Sequence, residues 1–196
     1  MSKIKVMSEL LSNKIAAGEV VEKVVSIVKE LVENSVDAGA TYIKIDLKEA
    51  GLREIMVTDD GIGMEKEDAL LAFQRHATSK LYTDDDLFSI NSLGFRGEAL
   101  PSIASVSEVI LKTCQNEVGT LVHVKGGKVI ENKPSEARIG TQITVSNLFY
   151  NTPARRKFLK TPMTEASHIN DLMIRLALSH PEVSFEFINN IKSLLS

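Results

Sequence analysis

The stretch KELVENSVDAGA, Lys29 to Ala40, spaces Glu30, Glu33, Asn34 and Asp37 at intervals of three, one and three. At about 100° per residue of α-helix these four fall on one stripe, while Val21, Val25, Val28 and Val32 fall on the opposite one. The pattern predicts a helix from Glu19 to about Val36, stopped by Asp37-Ala38-Gly39. Taken alone, a polar stripe opposite an apolar seam is what any surface helix shows. Its neighbours in the sequence decide whether it also faces a ligand.

Directly after the helix, TYIKIDLK and REIMVTD alternate with period two around a Glu49-Ala50-Gly51 turn, which predicts a hairpin. Its second strand ends in IMVTDDGIGM, residues 55–64, so an apolar run delivers Asp59 to a strand end, with glycines at 61 and 63. Glycine at such a point lets backbone approach a flat ligand, and the carboxylate reads either as a buried acceptor or as part of an ordinary Asp-Gly turn. The acidic residues do not fall at the alternate positions of a calcium loop.

Two further stretches carry possible chemistry. In LGFRGEALPSIAS, Gly94 and Gly97 precede a helix with Pro101 in its first turn, where successive N–H groups and the positive helix end would form an anion cradle. The Gly-Lys-Ser/Thr ending of a P-loop is missing, and a simple helix cap explains the stretch as well. In RIGTQITVSNLFYNTPARRKFLK, Gly140-Thr141 opens a strand and Arg155-Arg156-Lys157 forms a basic triplet, either a solvated helix start or a nucleic-acid contact.

The remaining pattern predicts helices at SELLSNKI, from Lys66 to about His76, at PSIASVS and from Met163 to Ser179. Strands are predicted at EVILKTCQ, TLVHVKGG, KVIENKP and TQITVSN, and a strand, Asn-Asn turn and strand in VSFEFINNIKSLLS. Helices interleaved with hairpins, with few βαβ units, argue for an α+β two-layer sandwich, its sheet mixed and mostly antiparallel with helices on one face. With 196 residues and 43% hydrophobic composition the chain can bury a real core, and a net charge of −3 leaves only local basic patches for nucleic acid. One cysteine, Cys114, excludes an internal disulfide and a cysteine zinc cluster, and a cytoplasmic location is the simplest fit. No apolar run reaches the length of a membrane span.

The order of these stretches, E-x-x-x-N on a helix, DxGxG after a strand, a long loop ending in GFRGEAL, then GT opening a strand, resembles the GHKL (Bergerat-fold) ATP-binding family. The wording NKIAAGEVVE, KELVENSVDAGA, QRHATSK, SLGFRGEAL and LFYNTPARRKFL is similar to its MutL branch, the DNA mismatch repair ATPases, from about Ile4 to Phe185. The resemblance implies that the polar stripe faces a nucleotide. Glu30 would be the general base toward the γ-phosphate, and Asn34 would hold Mg²⁺ together with phosphate oxygens. Asp59 would accept from the adenine amino group beside Gly61 and Gly63, with Thr141 supporting that edge through water. Thr78, Lys80, Gly94 and the backbone of Arg96, Gly97, Glu98, Ala99 and Leu100 would wrap the phosphates as a lid, Ala77 to Leu100, that is mobile without nucleotide. Glu33 is left as a rim or structural residue, and Asp37 as a cap of the Ala38-Gly39 turn.

The same resemblance implies ATP and Mg²⁺ as cofactors, and as partners a MutS-like mismatch sensor, DNA and a downstream helicase or nuclease. It implies a homodimer in a full-length protein that continues into a transducer domain, whose lysine reaches the γ-phosphate, and a C-terminal dimerisation domain. Residues 1–196 alone are then expected to be mostly monomeric and slow in hydrolysis. Two departures stand out: Lys23-Val24 where the family reads Arg-Pro, and Asp60 where it reads Asn, which places an extra carboxylate near the expected magnesium site.

Overall fold

A computed structural model describes residues 6–7, 18, 21–80, 93–94, 96–136 and 138–190. The expected helix at SELLSNKI and the centre of the expected lid lie outside these residues. Helix α1 (Val24–Asp37) is followed by β1 (Tyr42–Lys48), β2 (Glu54–Asp59) and α2 (Lys66–Leu71). Then come α3 (Ala99–Val106), β3 (Glu108–Cys114), β4 (Gly119–Lys125), β5 (Lys128–Ser135) and β6 (Gly140–Ser146), and finally α4 (Pro153–Arg156), α5 (Pro162–Ser179) and β7 (Ser184–Asn190).

The strands form one seven-stranded sheet in the order β5-β4-β3-β6-β2-β1-β7, antiparallel throughout except where β7 joins β1 in parallel. Alternation decides its faces. Ile43, Ile45 and Leu47 of β1, Ile55 and Val57 of β2, Val109 and Leu111 of β3 and Ile143 and Val145 of β6 are buried, while the residues between them stay half-exposed. Burying one face only is what a two-layer α+β sandwich requires, and α1, α3 and α5 supply the covering layer through Ile27, Leu31, Ile103 and Ile169.

Helix α1 starts at Val24, later than the expected Glu19. Lys23 is extended at the N-cap, so Val24 occupies the first helical position, the place where proline is favoured in an Arg-Pro sequence. The apolar seam is also wider than expected. It runs through Val24, Ile27, Val28, Leu31, Val32 and Ser35, with Val25 only partly buried, because the helix packs against both the sheet and α5. Helix α2 stops at Leu71 instead of continuing to His76. The chain turns there, and His76, at φ 61°, donates its N–H to the Gly97 carbonyl. At the end, Asn189 and Asn190 form no turn: both lie in β7, paired with Leu47 and Lys48.

Candidate functional site

The polar stripe of α1 is not a wetted face. Glu30, Glu33, Asn34 and Asp37 are all half-buried. Beside the stripe, strand pairing brings three chain segments together: β2 lies against β6 with Asp59 opposite Thr141, and β6 lies against β3 with Thr141 opposite Thr113.

Asp59 is the centre of this cluster. Its Oδ1 accepts from the backbone N–H of Gly61 at 3.0 Å and of Thr141 at 3.1 Å, and its Oδ2 accepts from the Ser35 hydroxyl at 2.7 Å. A carboxylate has about four lone-pair sites, so Oδ2 keeps one for an outside donor. Burial raises the Asp59 pKa, against the lowering pull of the bonds from Ser35, Gly61 and Thr141. Ser35 escaped the sequence reading because it sits on the apolar seam, where a serine looks like a packing residue.

Thr141 acts here first through its backbone. Its hydroxyl lies 3.0 Å from that of Thr113, which also accepts from the Met64 N–H and sits 3.1 Å from the Gly140 carbonyl. Thr113 is fully buried and gave no signal in the sequence beyond its place in an alternating run. Gly63, at φ 68°, packs so closely here that a Cβ would lie 2.0 Å from the Cys114 carbonyl oxygen. Gly61 in turn sits against Ala38 and Asp59.

A second cluster gathers around Asp37, the last residue of the stripe. Its carboxylate accepts from Lys80 Nζ and from the backbone N–H groups of Leu93, at 2.9 Å, and Gly94, at 3.0 Å. This differs from the expected turn-capping role, since Asp37 reaches across to residues far along the chain. Lys80 also donates to Asn34 Oδ1 at 3.3 Å, and its backbone N–H bonds the Thr78 hydroxyl. Glu30 stands among these groups. Burial raises its pKa, with Lys29 pulling it down, Glu33 pushing it up, and Lys80 and Arg96 pulling it down.

Glu33 takes the simpler role, an ion pair with Lys29 at 2.7 Å. Glu98 holds Arg75 at 2.9 Å and His76 at 3.1 Å. Helix α3 begins at Ala99 with no side-chain capping bond from Glu98 at its N-cap. Gly97, at φ 60°, lies where a Cβ would meet the Ala77 carbonyl oxygen at 2.5 Å.

Asp60 turns away from the expected magnesium position. It accepts from the Thr41 N–H and hydroxyl and from the Tyr42 N–H, and although desolvation pushes its pKa up, these bonds outweigh it and hold the pKa below the ordinary aspartate value. The basic triplet divides as well. Arg156 and Lys157 are exposed, but Arg155 turns inward, its guanidinium against Gly18 and its Nη1 buried. Among the described residues no helix is long and apolar enough to cross a membrane, and no group of His, Cys, Asp or Glu forms a metal site by itself.

The profile described as histidine kinase-, DNA gyrase B-, and HSP90-like ATPase matches residues 22–149, a span that contains Glu30, Asn34, Asp37, Asp59, Lys80 and Thr141. The chain is 58% identical over 196 residues to the DNA mismatch repair protein MutL of Geobacillus sp. (strain WCH70), covering 100% of this chain and 32% of that protein. It is 56% identical over 197 residues to MutL of Lactococcus lactis subsp. cremoris (strain SK11), covering 100% of this chain and 30% of that protein. The Aquifex aeolicus MutL ATPase domain complexed with ADP superposes with a TM-score of 0.69 at 32% identity, over 90% of this chain and 63% of that one. The chain thus spans about a third of the length of the mismatch repair proteins it matches. Over more than half of its length it carries the family's sequence pattern on the family's fold, and it belongs to the histidine kinase-, DNA gyrase B- and HSP90-like ATPases.

Proposed function

We propose that this chain binds ATP with Mg²⁺ and hydrolyses it slowly, as the nucleotide switch of a MutL-type mismatch repair protein. Asp59 carries the reading: a half-buried carboxylate, fixed by three donors from α1, the β2 end and β6, with one lone pair left for the adenine amino group. Guanine presents a carbonyl at the same edge, which a carboxylate repels. Lys80, Arg96 and the uncapped start of α3 supply positive character for the phosphates. Burial raises the Glu30 pKa, the direction that makes a glutamate a stronger base for orienting water.

The polar groups beside α1 fit a magnesium ion that draws most of its ligands from phosphate and water. Asn34 Oδ1 is a hard amide oxygen directed at a cation already, since the Lys80 ammonium donates to it. When bound, the ion would neutralise charge on the transferring phosphoryl group. In the full-length protein, nucleotide-dependent ordering of the lid and N-terminal closure of two protomers would couple a MutS-like mismatch sensor on DNA to a downstream helicase or nuclease. The chain by itself would be mostly monomeric and slow, awaiting a lysine from the following domain.

Calorimetric titration with a non-hydrolysable ATP analogue, with and without Mg²⁺, tests the binding reading. Absence of heat under both conditions overturns it. A second reading, a nucleic-acid-binding module with a vestigial pocket, draws on the exposed Arg156, Lys157, Lys160 and Phe158. Salt-dependent DNA binding that nucleotide leaves unchanged would favour it. Of the cations Arg155, Arg156, Lys157 and Lys160 in this stretch, Arg155 turns inward against Gly18.

A further inference from the structure

Asp37 closes α1, and a carboxylate at the last turn of a helix faces the negative end of the helix dipole. No basic residue stands in that turn to offset it. Its compensation comes from elsewhere: the Lys80 ammonium and the two consecutive N–H groups of Leu93 and Gly94, all converging on one nearly buried carboxylate whose side chain is 8% exposed. A lysine with successive backbone amides is the donor set with which proteins hold a phosphate oxygen. Each backbone amide has one hydrogen, so while it donates to Asp37 it cannot donate to a phosphate.

The cation is duplicated in the same way. Lys80 donates to Asn34 Oδ1 as well as to Asp37, and a Cβ on Gly94 would stand 3.5 Å from Asn34 Oδ1, 3.6 Å from Lys80 Nζ and 3.8 Å from Asp37 Oδ2. Asn34, Asp37, Lys80 and Gly94 therefore share one small space beside the general-base candidate. An ion pair fills the place where the proposed function needs a metal and a phosphate.

We propose that Asp37 is an internal competitor for the phosphates, a resident anion that holds Lys80 and the Leu93 and Gly94 amides in the nucleotide-free chain and must release them when a nucleoside triphosphate binds. This rests on the reading of the pocket as an ATP site and adds to it a threshold: the phosphate-bearing ligand has to displace an intramolecular one. Adenosine, which has no phosphate, does not encounter that threshold. Asp37 is accordingly a specificity-setting residue that lowers apparent affinity for the phosphorylated ligand while leaving the nucleoside's unchanged.

The test compares the ATP analogue with Mg²⁺ and adenosine on the unaltered chain and on Asp37→Asn. The amide is neutral and a weaker acceptor, so the analogue should bind about tenfold tighter to the variant, with adenosine unchanged within about twofold. Hydrogen exchange at Leu93 and Gly94 should become faster in the nucleotide-free variant and match the unaltered chain once the analogue is bound. Unchanged or weaker analogue binding, with adenosine binding intact, overturns the competitor role and leaves the ATP site standing. If the unaltered chain binds neither ligand, the pocket reading fails and this inference with it. Should Asp37→Asn not fold, amide resonances in the unaltered chain decide: those of Leu93 and Gly94 must shift on adding the analogue and stay in place with adenosine, and two stationary amides overturn the proposal.

Discussion

Asp59 and Asp37 are both partly buried carboxylates on the wall formed by α1 and the strand ends, and each holds three donors. The sources of those donors differ. Ser35, Gly61 and Thr141 belong to α1, the β2 end and β6, elements locked by core residues such as Leu31, Val57 and Ile143. Lys80, Leu93 and Gly94 lie outside any helix or strand. Backbone tied to a packed sheet resists local opening, whereas backbone held by a few polar contacts can exchange partners at small cost. The Asp59 cluster, the base end of the proposed site, is thus held by packed elements, and the Asp37 cluster, its proposed phosphate end, by polar contacts alone.

The largest expected effect falls on the phosphate end. Glu30→Ala should lower turnover of a longer chain that contains the next domain by about 10²–10⁴-fold while nucleotide affinity stays within a few-fold, because a general base touches water and not the nucleotide. Steady-state phosphate release beside a calorimetric titration reads both. An unchanged rate would move the base to another residue and erase the catalytic half of the contrast.

A pair of glycines tests rigidity directly. Gly63→Ala drives a methyl into the Cys114 carbonyl between strand ends that cannot shift, and should cost about 2–4 kcal/mol of stability. Gly97→Ala places the same group against the Ala77 carbonyl, where the chain lies outside regular structure, and should cost about 1–2 kcal/mol, since the neighbour can move aside. Urea unfolding of both variants ranks them. Equal losses would mean that the two ends are equally stiff.

At the base end, Asp59→Asn should weaken ATP and adenosine alike by about 1–3 kcal/mol, since the amide leaves a buried donor or acceptor unmatched. Undiminished adenosine affinity would remove the adenine assignment.

The smallest effect is in pH. Because burial raises the Asp59 pKa, adenosine binding should begin to fail, as the solution is acidified, at a pH above that of an ordinary aspartate. The stability contributions of the two neighbouring aspartates carry opposite signs. Folded Asp59 takes up its proton while the unfolded residue is still ionised, so its cost to stability is full above its raised pKa and shrinks as pH falls through it. Asp60, held low by the Thr41 and Tyr42 bonds, contributes stability above the unfolded aspartate pKa and loses it as pH falls through its own lower value. Binding and unfolding measured across the acidic range, with Asp60→Asn as the control, separate the two.

Local pattern carried much of this protein. Period-two alternation in TYIKIDLK and REIMVTD, and the turn between them at Glu49, Ala50 and Gly51, are written in neighbouring residues, as are the polar stripe of α1 and the delivery of Asp59 to a strand end. The GHKL resemblance rested on the order of such stretches, and the fold bears it out. Contacts between distant segments were not legible. The Asp59 bonds to Ser35 and Thr141 span 24 and 82 residues, and those of Asp37 to Lys80, Leu93 and Gly94 span 43, 56 and 57. Nothing local distinguishes Ser35 from a packing serine, Asp37 from a turn cap, or Asp60 from a metal ligand.

The sequence by itself determined the alternating faces of the β1–β2 hairpin and the polar stripe of α1, because helical and strand periodicities are fixed by backbone geometry and apolar side chains seek a common interior. The tertiary structure alone decided the partners. The parallel docking of β7 on β1 draws Asn189 and Asn190 into a strand, and the pairing of β2 with β6 aims the Thr141 amide at Asp59. A carboxylate's role depends on which donors the folded chain brings within about 3 Å of it, and that distance is set by the packing of the whole sheet and its helices, not by the residues on either side.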